Sequence, residues 1–246
     1  WKVRAGKDPT YYLRKKLNYV EGENITITLT DDDVNDKIDV EINAQGGGFD
    51  VQNPELINDC LYSSSGSLPL STYYVGYGDP EANHPGIIYI YRSGAGNHSH
   101  IHSRQSMYLP DEWEAIIIGK TYSSIDYQKL RIGWWDSYDN DPPSNGIYFE
   151  YVSDTDTTWQ AVTRKGGSET KTDTGVNVSA DTWYKFKILR DAEGVKFYID
   201  DALEATHTTN ISTAAMYIGA ILWPTSSDYR YFYLDLFYVK LKGLSR

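Results

Sequence analysis

Cysteine is almost absent from this chain. Cys60 is the only one in 246 residues, so no disulfide can form within the chain, and it is expected as a small buried apolar side chain. Positive charge is scarce too: 23 Lys and Arg stand against 34 Asp and Glu, a formal charge of −11. A surface of that sign repels phosphate backbones, and nucleic acid is not an expected partner. No apolar run approaches the roughly 20 residues that a membrane span requires, so membrane insertion is not expected. No segment reads as a long amphipathic helix. No signal peptide is read ahead of Trp1, and the missing initiator Met leaves open an N-terminal part.

What the chain has in excess is aromatic residues. Its 22 Tyr and seven Trp bring the aromatic share to 14%, enough for both a core and a contact surface. From Gln128 to Asp200 short runs rich in Val, Ile, Tyr, Phe and Trp (QKLRIGWWD, GIYFEYV, TWQAVTR, TWYKFKILR, GVKFYID) are separated by turn-rich stretches such as SYDNDPPSN, KGGSE and DAEG. This is the pattern of an antiparallel meander. In TWYKFKILR, Tyr184, Phe186 and Ile188 fall on one face and Trp183, Lys185, Lys187 and Leu189 on the other; Val195, Phe197 and Ile199 oppose Lys196 and Tyr198 in the next run. Strands with one apolar face stack as two sheets, so the expected fold is an all-β antiparallel sandwich. Further strands are expected at GIIYIYR, HIHSRQSMYL, EAIIIGK, AAMYIGAIL and YFYLDLFYVKL; the last, with Phe232, Leu234, Leu236 and Tyr238 on one face and Phe237 and Val239 on the other, suits a central position. At this size folding buries roughly 70% of the unfolded surface, so no staple is needed.

Residues 1–45 differ. A strand at 17–20 is followed by ITITLT, an Asp-rich turn and KIDVEIN, in which Ile25, Ile27 and Leu29 alternate with threonines and face a partner run carrying Ile38, Val40 and Ile42. Gln45-Gly46-Gly47-Gly48-Phe49 reads as a joint, giving a β-hairpin element at 1–45 and a sandwich at 46–246. Residues 50–85 are turn-rich and weakly patterned.

The run from Asn145 to Asp201, together with YFYLDLFYVKL, resembles the concanavalin A-like (laminin G-like) jelly rolls of phage virion proteins. The N-terminal hairpin resembles an element of tail-fibre proteins. The resemblance implies a jelly-roll β-sandwich on a tail-fibre or spike-like virion surface component, displayed for adhesion to a host cell-surface glycan, with a virion or extracellular location and other virion proteins as neighbours. Fibre-like proteins of this kind imply a homotrimer, which would also cover the small apolar face of the hairpin. The alternatives are a structural decoration module without a ligand and a polysaccharide depolymerase. Jelly-roll glucanases carry Glu-x-Asp-x-x-Glu on one strand, whereas Glu112-Trp113-Glu114 lacks the third carboxylate, so an enzyme is not the leading expectation.

Three segments are candidate sites. Trp134, Trp135, Asp136, Tyr138, Asp139 and Asn140 combine aromatic faces with Asp and Asn, the pairing that fits an amphipathic pyranose; of two adjacent strand residues only one can face the core, so one indole is expected outward or at an edge. His98, His100 and His102 line one strand face at about 6.6 Å steps, too far apart to share one metal within a chain. Their resemblance to the His-x-His elements of trimeric tail fibres implies a transition metal shared about a threefold axis; the other reading is a polar strand edge. Asp31, Asp32, Asp33, Asn35 and Asp36 supply oxygen ligands of the kind Ca2+ takes, without the glycine and distant Glu of an EF-hand, and a plain hairpin turn is the other reading. No cofactor is required by anything else in the chain.

Overall fold

The computed structural model describes residues 25–32, 37–44, 55–59, 70–84 and 86–242, those before Tyr73 as backbone alone. The expected strand at 17–20, the acidic turn at 33–36, the glycine joint and Cys60 lie outside the described residues. The chain divides into two units, Trp1–Val51 and Gln52–Arg246.

In the first unit β1 (Ile25–Asp32) and β2 (Lys37–Ala44) pair antiparallel, and the register sets Ile27 opposite Ile42 and Leu29 opposite Val40. The apolar positions of the two runs are therefore partners across the ladder, which fixes the register.

The second unit is two antiparallel sheets. One has seven strands, in the spatial order β4 (Leu70–Tyr73), β7 (Ser99–Ser103), β16 (Tyr217–Pro224), β9 (Gln128–Trp135), β10 (Gly146–Val152), β11 (Thr158–Lys165) and β12 (Ser168–Asn177). The other has eight: β5 (Val75–Gly78), β6 (Ile87–Arg92), β17 (Arg230–Lys242), β8 (Glu112–Thr121), β13 (Trp183–Asp191), β14 (Gly194–Ile199) and β15 (Ala202–His207), with β3 (Glu55–Asp59) lying along β17 beyond the end of β6. No helix occurs among the described residues. Tyr74, with φ of 54°, sits at the corner where the chain leaves the first sheet as β4 and enters the second as β5.

Apart from the run at 17–20, the strands read from the sequence are present, although HIHSRQSMYL is a strand only over Ser99–Ser103. Those the sequence did not mark are β3, β4 and β5, from the weakly patterned stretch before Gly86, and β12 and β15; β4 and β12 end one sheet and β5 and β15 the other, and SETKTDTGVN is largely exposed and has no apolar period to read. The strand β17 corrects one expectation. A bulge between Leu234 and Leu236 inserts Asp235, so the face reverses: Phe232 and Leu234 point inward before it and Phe237 and Val239 after it, while Leu236 and Tyr238 turn outward. Asp235 is buried there and held by His84 Nδ1 at 2.8 Å.

The core lies between the sheets. Phe149 of β10 meets Phe186 of β13 at 5.2 Å and Phe197 of β14 at 5.3 Å, and Trp159 of β11 meets Phe186 at 4.8 Å, all within the range of favourable aromatic pairs. The strands β13 and β14 bury alternate residues, as the sequence pattern requires. The strands β9, β10 and β11 bury nearly every residue, so the seven-stranded sheet is covered on its outer face as well. Replacing Phe186, which is 1% exposed, by Ala is expected to lower stability by about 3–5 kcal/mol. Lys187→Ala on the other face is expected to change it by less than about 1 kcal/mol, and urea unfolding of the two variants compares them.

Candidate functional site

The cover on the outer face of the seven-stranded sheet is built around Arg131. Along β9 the residues alternate, with Leu130, Ile132 and Trp134 in the core, and Lys129, Arg131 and Trp135 on the opposite side. The Arg131 guanidinium is fully buried between the rings of Tyr148 (4.5 Å) and Trp223 (4.8 Å). Its Nη2 donates to Glu150 at 3.0 Å, directly across the ladder on β10, and to Asp141 at 2.9 Å. Lys129 Nζ reaches the same two carboxylates at 3.2 and 2.6 Å, and Lys171 lies 3.8 Å from Glu150. Burial opposes the charged guanidinium, but Tyr148, Glu150 and Asp141 outweigh it and hold its pKa above the ordinary value. Burial likewise works against the Asp141 carboxylate, and Lys129 and Arg131 override it, so that pKa is lowered. Burial raises the pKa of Tyr148.

Asp141 belongs to the β9–β10 loop, residues 136–145, so this loop must run back along the strand it has just left to reach Arg131 and Lys129. Its far end is tied down: Asn145 Nδ2 donates to Asp136 at 2.8 Å, Arg164 Nε to the Pro143 carbonyl at 2.8 Å, and Ser212 Oγ to Asn145 at 2.9 Å. Midway, Tyr138 stacks on His102 at 5.2 Å and sits 4.8 Å from His100.

The expectation that one of the paired indoles faces outward is corrected here. Trp134 packs in the core against Trp113, and Trp135, although on the outer side of the sheet, is also fully buried. Neither offers a face to a ligand. Asp136 and Tyr138 are half-buried, and Asp139 and Asn140 are exposed, so the accessible part of the predicted segment is Tyr138–Asn140.

The three histidines do share the outer face of β7, as their spacing requires. Their rings form a row, 5.4 Å from His98 to His100 and 4.8 Å on to His102. Tyr73 stacks on His100 at 5.7 Å, and His98 Nε2 lies 4.0 Å from Asp139. His100 and His102 are buried, and His102 Nδ1 donates to the Ser103 carbonyl at 2.7 Å. Among the described residues no group of His, Cys, Asp or Glu is arranged to hold a metal ion. The row instead forms the floor beneath Tyr138. Burial lowers the pKa of all three, that of His100 to about 3.

The Arg131 cluster was missed from sequence, although a signal was there: Lys129, Arg131 and Glu150 interrupt runs that are otherwise apolar, and a buried strand keeps such charges only when they are paired. Glu112 and Glu114 lie far from it on β8, where Glu114 pairs with Lys187 at 3.2 Å.

The buried histidines make acid sensitivity an expected outcome. Between the ordinary value of 6.5 and about 3 the unfolded chain binds a proton at His100 that the folded chain refuses, so stability rises with pH across that window and is lost as pH falls through it. The melting temperature is expected to drop steadily below about pH 6.5, and His100→Phe, which cannot titrate, is expected to flatten that slope. Thermal melts of both proteins at a series of pH values check this.

Comparison with known proteins places these features in a family. No curated protein matches the sequence. Among solved structures, a protein of unknown function, SO2946, from Shewanella oneidensis MR-1 is 19% identical with a TM-score of 0.60, covering 79% of this chain and 89% of that one. A β-glucanase from Bacillus licheniformis is 15% identical with a TM-score of 0.53, covering 81% and 100%. The carbohydrate recognition domain of Emp47p is 11% identical with a TM-score of 0.54, covering 80% and 100%. These likenesses show the fold, a concanavalin A-like jelly-roll β-sandwich. A family model described as SO2946-like, C-terminal domain, matches residues 83–226, more than half of the chain. The chain therefore belongs to the SO2946-like C-terminal domain family.

Proposed function

We propose that the chain is a carbohydrate-binding surface module that recognises a glycan at the edge of its seven-stranded sheet. The observation that carries this reading is the placement of Tyr138 over His100 and His102, with Asp139 beside His98 and with Tyr73, 44% exposed, next to them. Aromatic faces and a carboxylate are thereby gathered on one solvent-facing patch, and the buried row of histidines holds its floor rigid. An amphipathic sugar ring fits such a patch through its C–H face and its hydroxyls. Two solved structures with this fold being a β-glucanase and a carbohydrate recognition domain supports the reading at the level of fold.

Binding is favoured over hydrolysis by electrostatics. Glycoside hydrolysis uses one carboxylic acid with a raised pKa beside a second carboxylate. Glu150 and Asp141 are close enough to share Arg131 and Lys129, but those cations hold Asp141 ionised, the opposite of what a general acid requires.

The wider role we propose is a fibre- or spike-like component of a virion surface, assembled as a homotrimer through the N-terminal hairpin. Its support is the resemblance of the two segments and the small size of a two-stranded hairpin, which cannot be stable alone. Light scattering at micromolar concentration is expected to give three times the chain mass of 28.0 kDa, and a stable monomer would remove the trimer.

The binding site is tested on a glycan array. Tyr138→Ala with Asp139→Ala is expected to weaken binding at least about tenfold while the melting temperature moves by only a few degrees. Trp135→Ala, by contrast, is expected to cost about 3–5 kcal/mol of stability, because that indole is packed beneath the loop. Unchanged binding by the folded double variant would refute the site.

A further inference from the structure

A second set of aromatic rings stands on the outer face of the other sheet, and it meets the patch just described at a corner, where Tyr74 lies 4.6 Å from Tyr73. On the outer face of the eight-stranded sheet, Tyr89 and Tyr91 of β6 alternate outward, and Tyr231 and Tyr233 of β17 oppose them in register. The four rings form a block: Tyr89 lies 5.7 Å from both Tyr91 and Tyr233, Tyr91 lies 5.9 Å from Tyr231, and Tyr231 lies 6.4 Å from Tyr233. The planes of Tyr231 and Tyr233 differ by only 13°. The block extends at one end through Tyr229, 55% exposed, and Tyr74, 43% exposed, each about a ring's width from Tyr91 at 6.2 and 6.0 Å. At the other end Lys120 bridges Tyr233 and Trp183, whose indole stacks on His84 at 3.7 Å.

These half-buried rings lie outside the core between the sheets. A sheet face turned to water is ordinarily polar, and the core of this unit is complete on the opposite side of the same strands. The backbone even makes room for one of them, since any Cβ at Gly76 on β5 would strike the ring of Tyr89, which lies across that strand. Of the flanking charges, Lys120 is paired with Glu81 at 2.8 Å and Lys187 with Glu114 at 3.2 Å, His84 hydrogen-bonds Asp235 at 2.8 Å, and Arg92 lies over the ring of Tyr74 at 3.8 Å. An ionic partner would find those charges already engaged.

We propose that this tyrosine face is a second carbohydrate-binding surface, one that takes an extended, uncharged polysaccharide. Tyrosine offers a flat apolar ring and a hydroxyl together, and loses little entropy on binding, which suits a ligand that is itself apolar on its ring faces and hydroxylated at its rim. The platform crosses β5, β6, β17, β8 and β13, so it fits a run of sugar units rather than one. This inference does not depend on the patch around Tyr138.

Affinity electrophoresis of the full chain tests it, in gels containing mixed-linkage β-glucan, galactomannan or starch, with polygalacturonate as the charged comparison. At least one neutral polymer is expected to retard the native protein. Tyr91→Ala with Tyr231→Ala is expected to weaken that retardation at least tenfold, and to do so by the same factor in a chain that already carries Tyr138→Ala and Asp139→Ala. Tyr229→Ala, at the exposed end of the row where folding is not at stake, is expected to weaken it severalfold. The inference is overturned if no neutral polymer retards the native protein, if only polygalacturonate does, or if the folded Tyr91 and Tyr231 variant is retarded as before. It is also overturned if sedimentation shows that this variant has lost self-association along with retardation, which would assign the face to a contact between copies.

Discussion

A guanidinium removed from water must be met by carboxylates, and in this chain that requirement sets the course of everything on the outer face of the seven-stranded sheet. Arg131 is fully buried and faces Glu150 across the ladder. Asp141 brings a second carboxylate to the same Nη2 by carrying residues 136–145 back along β9, while Nε and Nη1 make no hydrogen bond to any described residue and the guanidinium is held between the rings of Tyr148 and Trp223. Once the loop takes that path, Trp135 is covered, Tyr138 comes to rest on the histidine row, and Asp139 is placed beside His98. The exposed patch is thus a by-product of neutralising one buried cation.

The two sheets were legible to different degrees for one physical reason. The strands β13 and β14 have one wet face, so their alternation is written in the sequence and the buried residues could be named from it. The strands β9 and β10 are buried on both sides, the second time by a loop rather than by another sheet. Periodicity reports whether a side chain leaves one layer; it does not report what lies above it. One of the two indoles was expected outward; Trp135 is on the outer side of the strand, and it is fully buried there. In the segment chosen for recognition Tyr138 is half-exposed and Asp139 and Asn140 are exposed, whereas the indoles that drew attention to it are buried.

The histidine row shows the same limit. Its spacing dictated that three rings share a face, and they do. What is laid over them could not be read from that spacing, because Tyr138 and Tyr73 come from two other segments of the chain. The tyrosine surplus was visible as composition alone. Only the pairing of β6 with β17 shows that four of those residues are immediate neighbours, because their sequence separation is about 140 positions while their strands are adjacent.

The extra residue at Asp235 has a consequence for how this sandwich can change over time. It divides β17 into two segments of opposite phase, the first carrying Tyr231 and Tyr233 outward and the second carrying Phe237 and Val239 inward. Each segment is locked to different neighbours, the first to β6 and the second to β3. Deleting one position there would turn half of the longest strand inside out while leaving the other half untouched. The surface and the core of this protein are therefore inherited as separate halves of a single strand, and the aromatic face can drift in sequence only as far as that one-residue offset is kept.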